Sequence, residues 1–244
     1  MKIIALLKPI PDLSNIKVSK GRGLVFELNP RIMNPADRNA LEFALAVKDK
    51  MPSEIIAITL GDEKVGSLLK EAIAMGADKG ILLEDAVFAE GDGLANAYVL
   101  SLAIKKHGDF DLIVCGNSAE DDSIDEIGPR LAEIFNVEQA TFVIGNPPFP
   151  PLLKGGEGGL PEKRVSIGRG FGSDKLSNIE IDLPAVIAVN KDSNKPRVPS
   201  AIKIMKAAKA EIIKWSAADI NADITGCGTS GSAVRISNTF VPEG

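Results

Sequence analysis

The sequence predicts an α/β fold in which a doubly wound, mainly parallel sheet is covered by helices on both faces. Over the first 140 residues, short apolar runs typical of strands alternate with longer segments that have the periodicity of amphipathic helices. These runs are continuously apolar, which is typical of parallel strands buried on both faces. Glycine turns follow two of them, at Gly61 and Gly116, and predict ligand-binding loops at the carboxyl edge of the sheet.

Each element of this first half follows from its local pattern. The predicted strands are Ile3–Leu7, Ile55–Leu60, Gly80–Leu83 and Leu112–Cys115. The predicted helices, which lie between the strands, are Pro35–Lys50, Asp62–Met75 and Leu94–Lys106. Parallel strands require this alternation, since a crossover must return the chain to the same end of the sheet.

The second half begins with an interruption at residues 145–162, which are rich in glycine and proline. This composition excludes a packed helix or an interior strand, and we expect an exposed inserted loop without function rather than a polyproline ligand. After it, Arg164–Gly168 and Asn178–Asp182 are predicted to pair as antiparallel strands. The glycines of Gly168–Gly172 precede no helical pattern, so they predict a hairpin turn and not a dinucleotide loop.

The remaining chain predicts one more strand, a polar loop and a basic helix. Strand Ala185–Val189 is followed by loop Lys191–Pro199, and Pro199 suits the start of the helix because a missing N–H costs nothing there. The helix carries an apolar and a basic stripe, each with a spacing of three residues: Ile202, Met205 and Ala208, and Lys203, Lys206 and Lys209. From Trp215 onward, frequent glycine, serine and aspartate predict an arm rather than a core element.

Composition excludes several classes of protein. The chain has 244 residues, 45% of them hydrophobic and 25% charged, which fits one large globular domain. A net charge of −5 leaves no basic excess for a nucleic-acid partner. No run of about 18 apolar residues predicts a membrane span. The apolar N-terminus is too short for a signal peptide, so we expect a cytoplasmic protein.

The sequence also lacks the usual catalytic and metal-binding motifs. The single histidine, His107, lies at the polar end of a predicted helix, where it suits the helix dipole better than catalysis. The two cysteines form neither a metal-ligand pair nor a disulfide framework. No Walker loop, zinc-protease motif or nucleophile elbow is present. We therefore predict no catalytic residue and no metal, which favours a binding or carrier protein.

Two predicted helix starts suit ligand binding. The first is Asn34-Pro35-Ala36-Asp37, with Asn34 as N-cap, Pro35 at the first helical position and Asp37 in the first turn. A well-capped helix explains these residues as well as an anion site does. The second is the loop from Gly116 to Pro129. Its helix has two competing starts, a capping box of Ser123 and Glu126, or a Gly128 cap before Pro129.

The second loop carries an unusual charge. Five carboxylates lie within seven residues, namely Glu120, Asp121, Asp122, Asp125 and Glu126. Like charges at about 4–6 Å oppose a phosphate. Arg130 is the only nearby basic residue in the sequence. We therefore hypothesise that any nucleotide site here is weakened, or depends on cations from a partner subunit.

The region around the last predicted strand resembles a known family. Residues 183–209, LPAVIAVNKDSNKPRVPSAIKIMKAAK, resemble the signature of the beta subunit of electron transfer flavoproteins. Further similar pieces are KPIPD (8–12), AMGAD (74–78), QATF (139–142) and GSAVRI (231–236). The resemblance implies a Rossmann-like fold of the adenine nucleotide alpha hydrolase type. It also implies a nucleotide-binding domain at 1–210, with 145–162 as an inserted loop, and a C-terminal arm at 211–244 that contacts the alpha subunit.

The resemblance further implies a function and a set of cofactor-binding residues. The chain would be an electron carrier subunit, not an enzyme, and would share an FAD with an alpha subunit. It would hold AMP or a second FAD in its own site, and accept electrons from a flavin dehydrogenase of the acyl-CoA type. The implied contacts are Leu6, Asn34, Pro35, Ala36, Asp37, Leu60, Asp122, Ser123, Ile124, Asp125, Glu126, Ile127, Gly128 and Pro129. From the pattern alone, Leu6 and Leu60 are core leucines.

The chain departs from the family at three places that bear on these implied roles. In the acidic loop, relatives carry Gln and Thr or Gly at the positions of Ile124, Asp125 and Glu126. Ser193 stands where a docking leucine is usual, and Val234 replaces a threonine. A nucleotide-free scaffold of the same fold is an alternative, which the acidic loop and the inserted segment 145–162 support. An enzyme that hydrolyses nucleotides or transfers adenylyl groups is less favoured, because no glycine-rich loop follows the first strand.

Overall fold

The computed structural model describes residues 1–12, 30–144, 161–171 and 175–235, together with short strands at 17–19, 23–25 and 153–155. The strands are β1 (Lys2–Leu6), β2 (Pro9–Pro11), β3 (Lys17–Ser19), β4 (Gly23–Val25), β5 (Arg31–Met33), β6 (Glu54–Leu60), β7 (Lys79–Leu83), β8 (Leu112–Gly116), β9 (Glu138–Ile144), β10 (Leu153–Gly155), β11 (Pro161–Phe171), β12 (Lys175–Asp182), β13 (Ala185–Val189) and β14 (Ile213–Trp215). The helices are α1 (Pro35–Lys48), α2 (Gly66–Met75), α3 (Gly93–His107), α4 (Ile127–Phe135), α5 (Ala201–Ala208) and α6 (Gly228–Gly231).

Ten of the described strands form one sheet. Their order is β10-β11-β9-β13-β8-β1-β6-β7-β14, with β12 paired to β11. From β9 to β14 in this order, every neighbouring pair is parallel, whereas β10, β11 and β12 pair in antiparallel fashion. The predicted α/β fold with a doubly wound, mainly parallel sheet is confirmed.

The core lies on both faces of this sheet, because alternate residues of a strand point to opposite faces. Ile3 and Ala5 of β1 pack in one cluster, with buried residues of α1 and α2. Ile4 and Leu6 pack in the other cluster, with α3 and α4. All four side chains are buried, which explains why β1 is continuously apolar rather than alternating.

The C-terminal segment contributes to the fold more than its composition predicts. β14 pairs with β7, and Ala217, Ile220 and Cys227 are buried in the cluster that contains α3. Asp92 then fastens residues beyond α6, because its carboxylate accepts the N–H groups of Ala233 (2.7 Å) and Val234 (2.9 Å). The segment to residue 235 is therefore packed on its own chain.

Two local predictions are corrected. The basic helix begins at Ala201 with Ser200 as its N-cap, so Pro199 precedes the cap instead of opening the helix. Strand β11 continues through Phe171, which pairs with Lys175, so the predicted hairpin turn at Gly168–Gly172 is displaced towards the C-terminus. Within the inserted loop 145–162, residues 145–152 and 156–160 lie outside the described residues.

Candidate functional site

The candidate site lies where the chain order of the sheet reverses. β1 is flanked by β6 on one side and by β8 on the other, although β6 follows it directly in the main sheet and β8 comes later. The connections after β1 and β8 therefore leave the carboxyl edge in opposite directions. In open α/β sheets, the crevice at such a switch point is the usual ligand site.

Asp37 joins the two diverging connections. One carboxylate oxygen accepts the N–H of Lys8, just beyond β1, and the other accepts the N–H of Gly116, at the end of β8, each at 2.6 Å. The side chain is buried. A β-carbon at Gly116 would lie 2.6 Å from the Asp37 carboxylate and 2.7 Å from the Ala36 methyl, so α1 approaches β8 this closely only because the residue is glycine.

Asn34 fixes the loop that follows β8. It occupies the predicted N-cap position of α1, with Pro35 at the first helical position, but its side chain makes no capping hydrogen bond. Instead, its amide nitrogen donates to the Ser118 carbonyl (3.0 Å) and its amide oxygen accepts the Glu120 N–H (3.3 Å). Asn34 is almost fully buried, so the start of α1 and this loop form one unit.

The acidic loop is neutralised largely within the chain. Lys8 Nζ pairs with Asp121 (2.8 Å) and with Asp122 (2.6 Å). Lys191 pairs with Glu120. The prediction that Arg130 is the only available cation was therefore wrong, because the two lysines come from distant parts of the chain.

Helix α4 begins at neither of the predicted starts. Its N-cap is Glu126, which makes no side-chain cap but pairs with Arg130 one turn later at 2.6 Å. Ser123 lies outside the helix with a φ of 57°, and Gly128 and Pro129 lie inside its first turn. The N–H groups of Ile127 and Gly128 have no acceptor among the described residues. Such free donors at a helix start suit an anion.

Asp125 is the carboxylate of this loop that has no ion-pair partner among the described residues. Burial raises its pKa to about 6. Its neighbour Ile124 is 53% exposed, so the tip of the loop reaches solvent.

Leu6 and Leu60 occupy different surroundings. Leu6 is buried in the core, as its apolar pattern predicts. Leu60 is partly buried and lines a cleft of about 510 Å³ beside the ends of β6 and β7. The same cleft exposes Arg31, Glu90 and Asn96, which the sequence pattern does not single out.

The loop after β13 is fixed to the side of α1. Arg197 donates from Nε and from its backbone N–H to Glu42, both at 2.9 Å, and also pairs with Asp49 at 2.7 Å. The Asn39 side-chain amide donates to Asn194 Oδ1 (2.8 Å), and the Asn194 side-chain amide donates to the backbone carbonyl of Asn39 (3.0 Å). Glu42 is buried in the structure, which points to this contact. The helical pattern of the sequence alone predicted no partner for it.

Ser193 lies within this tether rather than at an exposed tip. Its hydroxyl oxygen is buried and has no hydrogen-bond partner within the described parts of the chain. The exposed apolar side chains nearby are instead Val198, Ile202, Ile204 and Met205.

Asp37 gives the site a testable pH dependence. Burial raises its pKa to about 6, against the hydrogen bonds of Lys8, Gly116 and Asn34, which favour the carboxylate. Between these two pKa values, Asp37 of the folded protein keeps a proton that Asp37 of the unfolded chain, with the ordinary pKa of 3.8, has lost. The contribution of Asp37 to stability is greatest below about pH 4, declines as pH rises to about 6, and is constant above, a change on the order of 3 kcal/mol.

We expect Asp37→Asn to remove this contribution. Urea denaturation of both proteins between pH 4 and 7 measures the difference in unfolding free energy, which cancels groups common to both, including Asp125. The wild-type advantage should shrink as pH rises, and a difference independent of pH would show that Asp37 titrates normally.

Neither a metal centre nor a membrane span is found in the described part of the chain. No group of three or more His, Cys, Asp or Glu side chains is arranged to hold a metal ion. No described helix combines the length and the apolar character needed to cross a bilayer.

Comparison with known proteins gives a consistent result. A family model described as "Electron transfer flavoprotein domain" matches residues 23–148. The chain is 32% identical to the electron transfer flavoprotein subunit beta of Clostridium acetobutylicum, over 100% of this chain and 89% of that protein. It is also 32% identical to subunit CarD of the caffeyl-CoA reductase-Etf complex of Acetobacterium woodii, over 99% and 88%. Identity to protein FixA of Azorhizobium caulinodans is 30%, over 99% and 85%.

Proposed function

This chain belongs to the electron transfer flavoprotein family, and we propose that it is the beta-type subunit of a heterodimeric electron carrier. In this proposal it shares an FAD with an alpha subunit and holds AMP or a second FAD in its own site. The carrier passes electrons from a flavin dehydrogenase to an acceptor, in the cytoplasm. The observation that supports the role most strongly is similarity to electron transfer subunits along essentially the whole chain.

The site suits an adenine nucleotide better than its acidic sequence indicates. The cleft beside Leu60, of about 510 Å³, is within the usual range for small-ligand sites. Most carboxylates of the acidic loop pair with Lys8, Lys191 and Arg130, so their charge is largely compensated without a partner subunit. The free N–H groups of Ile127 and Gly128 supply donors for a phosphate.

Two features of the acidic loop limit how well the site fits a nucleotide. They are the carboxylate of Asp125 and the Glu126–Arg130 ion pair. A phosphate that approaches the start of α4 meets the carboxylate of Asp125, which is ionised at neutral pH because its pKa is about 6. We therefore retain a weaker form of the initial hypothesis, in which the site binds a nucleotide but Asp125 lowers the affinity.

The residues of this chain bind and position the ligand rather than react with it. A bound flavin supplies the redox chemistry. Asp37 and Asn34 hold the crevice open in one geometry, through their hydrogen bonds to Lys8, Gly116 and the Ser118–Glu120 backbone. No general base or nucleophile is assigned.

The partners follow from the same proposal. The name of CarD places that relative in a caffeyl-CoA reductase complex, which supports a dehydrogenase of the acyl-CoA type as the electron donor here. The division into a nucleotide-binding domain at 1–210 and an arm at 211–244 also remains a proposal. Since residues 213–235 pack on their own chain, the alpha subunit would contact their outer surface.

Cofactor content tests the proposal. We would co-express this chain with an alpha-type subunit, record the absorption spectrum, and identify the nucleotides released by denaturation. We expect one FAD together with either one AMP or a second FAD per heterodimer. One FAD with no second nucleotide would refute the nucleotide site of this chain, and a complex without flavin would favour the nucleotide-free scaffold.

A further inference from the structure

One carboxylate, that of Asp92, joins two distant parts of the chain at the start of α3. Its Oδ1 accepts the N–H groups of Leu94 and Ala95, both at 3.0 Å, and so caps the helix. Its Oδ2 accepts the N–H groups of Ala233 (2.7 Å) and Val234 (2.9 Å), which lie beyond α6. The two oxygens therefore have separate tasks, and we call the second contact the Asp92 clamp.

The Asp92 clamp belongs to a short hydrogen-bond network. The Asp92 N–H donates to Ser232 Oγ at 2.9 Å, and the Ser232 hydroxyl donates to the Gly228 carbonyl at 2.7 Å. Desolvation opposes ionisation of the carboxylate, but its four N–H donors outweigh this and lower the pKa of Asp92. The carboxylate is therefore ionised at neutral pH, and hydrogen bonds to an ionised acceptor are roughly twice as strong as neutral ones.

The segment that precedes the clamp reaches its position only through a glycine. Gly228 has a φ of 49°, in the left-handed region that glycine adopts without strain. A β-carbon there would lie 2.4 Å from the Val87 carbonyl oxygen and 2.6 Å from that of Ala89. This close packing and the Asp92 clamp together hold the segment in one backbone arrangement.

The clamp groups apolar side chains that are exposed to solvent. Asp92 accepts the N–H groups of both Leu94 and Val234, so their backbones lie side by side, and these residues are 41% and 70% exposed. Val87 and Ile224 are also exposed and line one cavity of about 350 Å³. Single exposed apolar side chains are common on protein surfaces, whereas a group of them marks a surface for association.

We propose that Asp92 is a positioning residue for association with the alpha-type subunit: the clamp fixes residues 232–234 in the arrangement that an apolar face of that subunit binds. The inference rests on the proposed function, in which the alpha subunit contacts the outer surface of residues 213–235. A segment that is fixed before binding loses less conformational entropy when the complex forms. The clamp therefore strengthens association without requiring Asp92 itself to touch the partner.

Asp92→Asn separates the two tasks of this carboxylate. Asparagine is as good an N-cap as aspartate, so its amide oxygen retains the cap of α3. Its amide nitrogen, in place of Oδ2, is a donor and cannot accept the N–H groups of Ala233 and Val234. We expect faster hydrogen–deuterium exchange of these two N–H groups. The dissociation constant of the co-expressed heterodimer, measured by analytical ultracentrifugation, should rise about 10-fold or more.

A second variant and a control complete the test. Asp92→Ser should have the same effect, because its one oxygen retains the cap but cannot serve both segments. Asp111→Asn makes the same chemical change at a carboxylate that accepts the Lys2 N–H (2.8 Å), at the opposite edge of the sheet. It should leave the dissociation constant within about twofold. The thermal midpoints of both Asp92 variants should stay close to that of wild type, since the cap of α3 is kept.

The outcomes separate this inference from the proposed function. If the two N–H groups exchange faster in Asp92→Asn but the heterodimer is as tight as wild type, the positioning role is refuted while the proposed function stands. If their exchange is unchanged, the clamp itself is refuted. A weaker heterodimer with a lowered thermal midpoint would indicate a damaged fold and would also count against the role. If the wild-type chain forms no heterodimer with an alpha-type subunit, the proposed function fails, and this inference fails with it.

Discussion

Replacement of Asp37 by alanine is expected to lower the free energy of unfolding at pH 7 by about 2 kcal/mol, because two partly buried backbone N–H groups lose their acceptor. These are the N–H groups of Lys8 and Gly116. The loss should be larger at pH 5, where the proton on Asp37 stabilises the wild-type fold. AMP binding should weaken as well, since the connections after β1 and β8 are then no longer joined. Urea denaturation and equilibrium dialysis measure the two effects.

Asp111 offers a matched control for Asp37. Its carboxylate also accepts a strand N–H, that of Lys2 (2.8 Å), but near solvent at the opposite edge of the sheet. Asp111→Ala should cost about 1 kcal/mol or less and leave AMP binding unchanged. Equal losses of stability in the two variants, with AMP binding intact in both, would contradict the bridging role of Asp37.

Replacement of Arg197 by methionine is expected to release the loop after β13 and to lower the free energy of unfolding by about 2 kcal/mol. The Glu42 side chain is only 7% exposed, so its carboxylate would be left buried without a counter-ion. Breaking a buried pair in this way costs about 3–5 kcal/mol, and the partial exposure of Arg197 reduces the effect. Limited proteolysis at Lys191 and Lys195 measures release of the loop, and urea denaturation measures stability.

Lys79→Met provides the comparison, since Lys79 and Glu54 form an exposed ion pair at 2.8 Å. Its loss should change stability by about 0.5 kcal/mol or less and leave proteolysis of the loop unaffected. If the proposed function holds and this loop contacts the donor dehydrogenase, Arg197→Met should also raise the KM of that dehydrogenase for the carrier. An Arg197→Met protein whose loop resists trypsin as well as wild type does would refute the tether.

The elements of this fold are predictable from sequence where a single periodic pattern decides them. Strand Ala185–Val189 was predicted with its observed bounds, and β1 within one residue, because continuous apolar runs mark buried parallel strands. The start of α4 was not predicted correctly, because two capping patterns competed in the sequence and the structure uses neither. A local pattern cannot tell that Glu126 pairs with Arg130 within the helix instead of capping it.

The electrostatics of the site were less predictable than its location. The acidic loop was recognisable, but Lys8 lies 113 residues from Asp121 in sequence, so the pairing depends on the order of strands in the sheet. Asp37 was predicted as a first-turn residue of α1, and its contact with Gly116 follows only once β8 is placed beside β1. The cleft beside Leu60 has no signal in the pattern, because segments that are distant in sequence form it.

Hydrogen–deuterium exchange of the full chain with and without AMP tests the central claim, that the nucleotide binds at the switch point of the sheet. We predict slower exchange of the Ile127 and Gly128 N–H groups, which have no acceptor in the described structure, together with protection of residues 60–62. Protection confined to α5 and the loop after β13, with no change at Ile127 and Gly128, would contradict the claim.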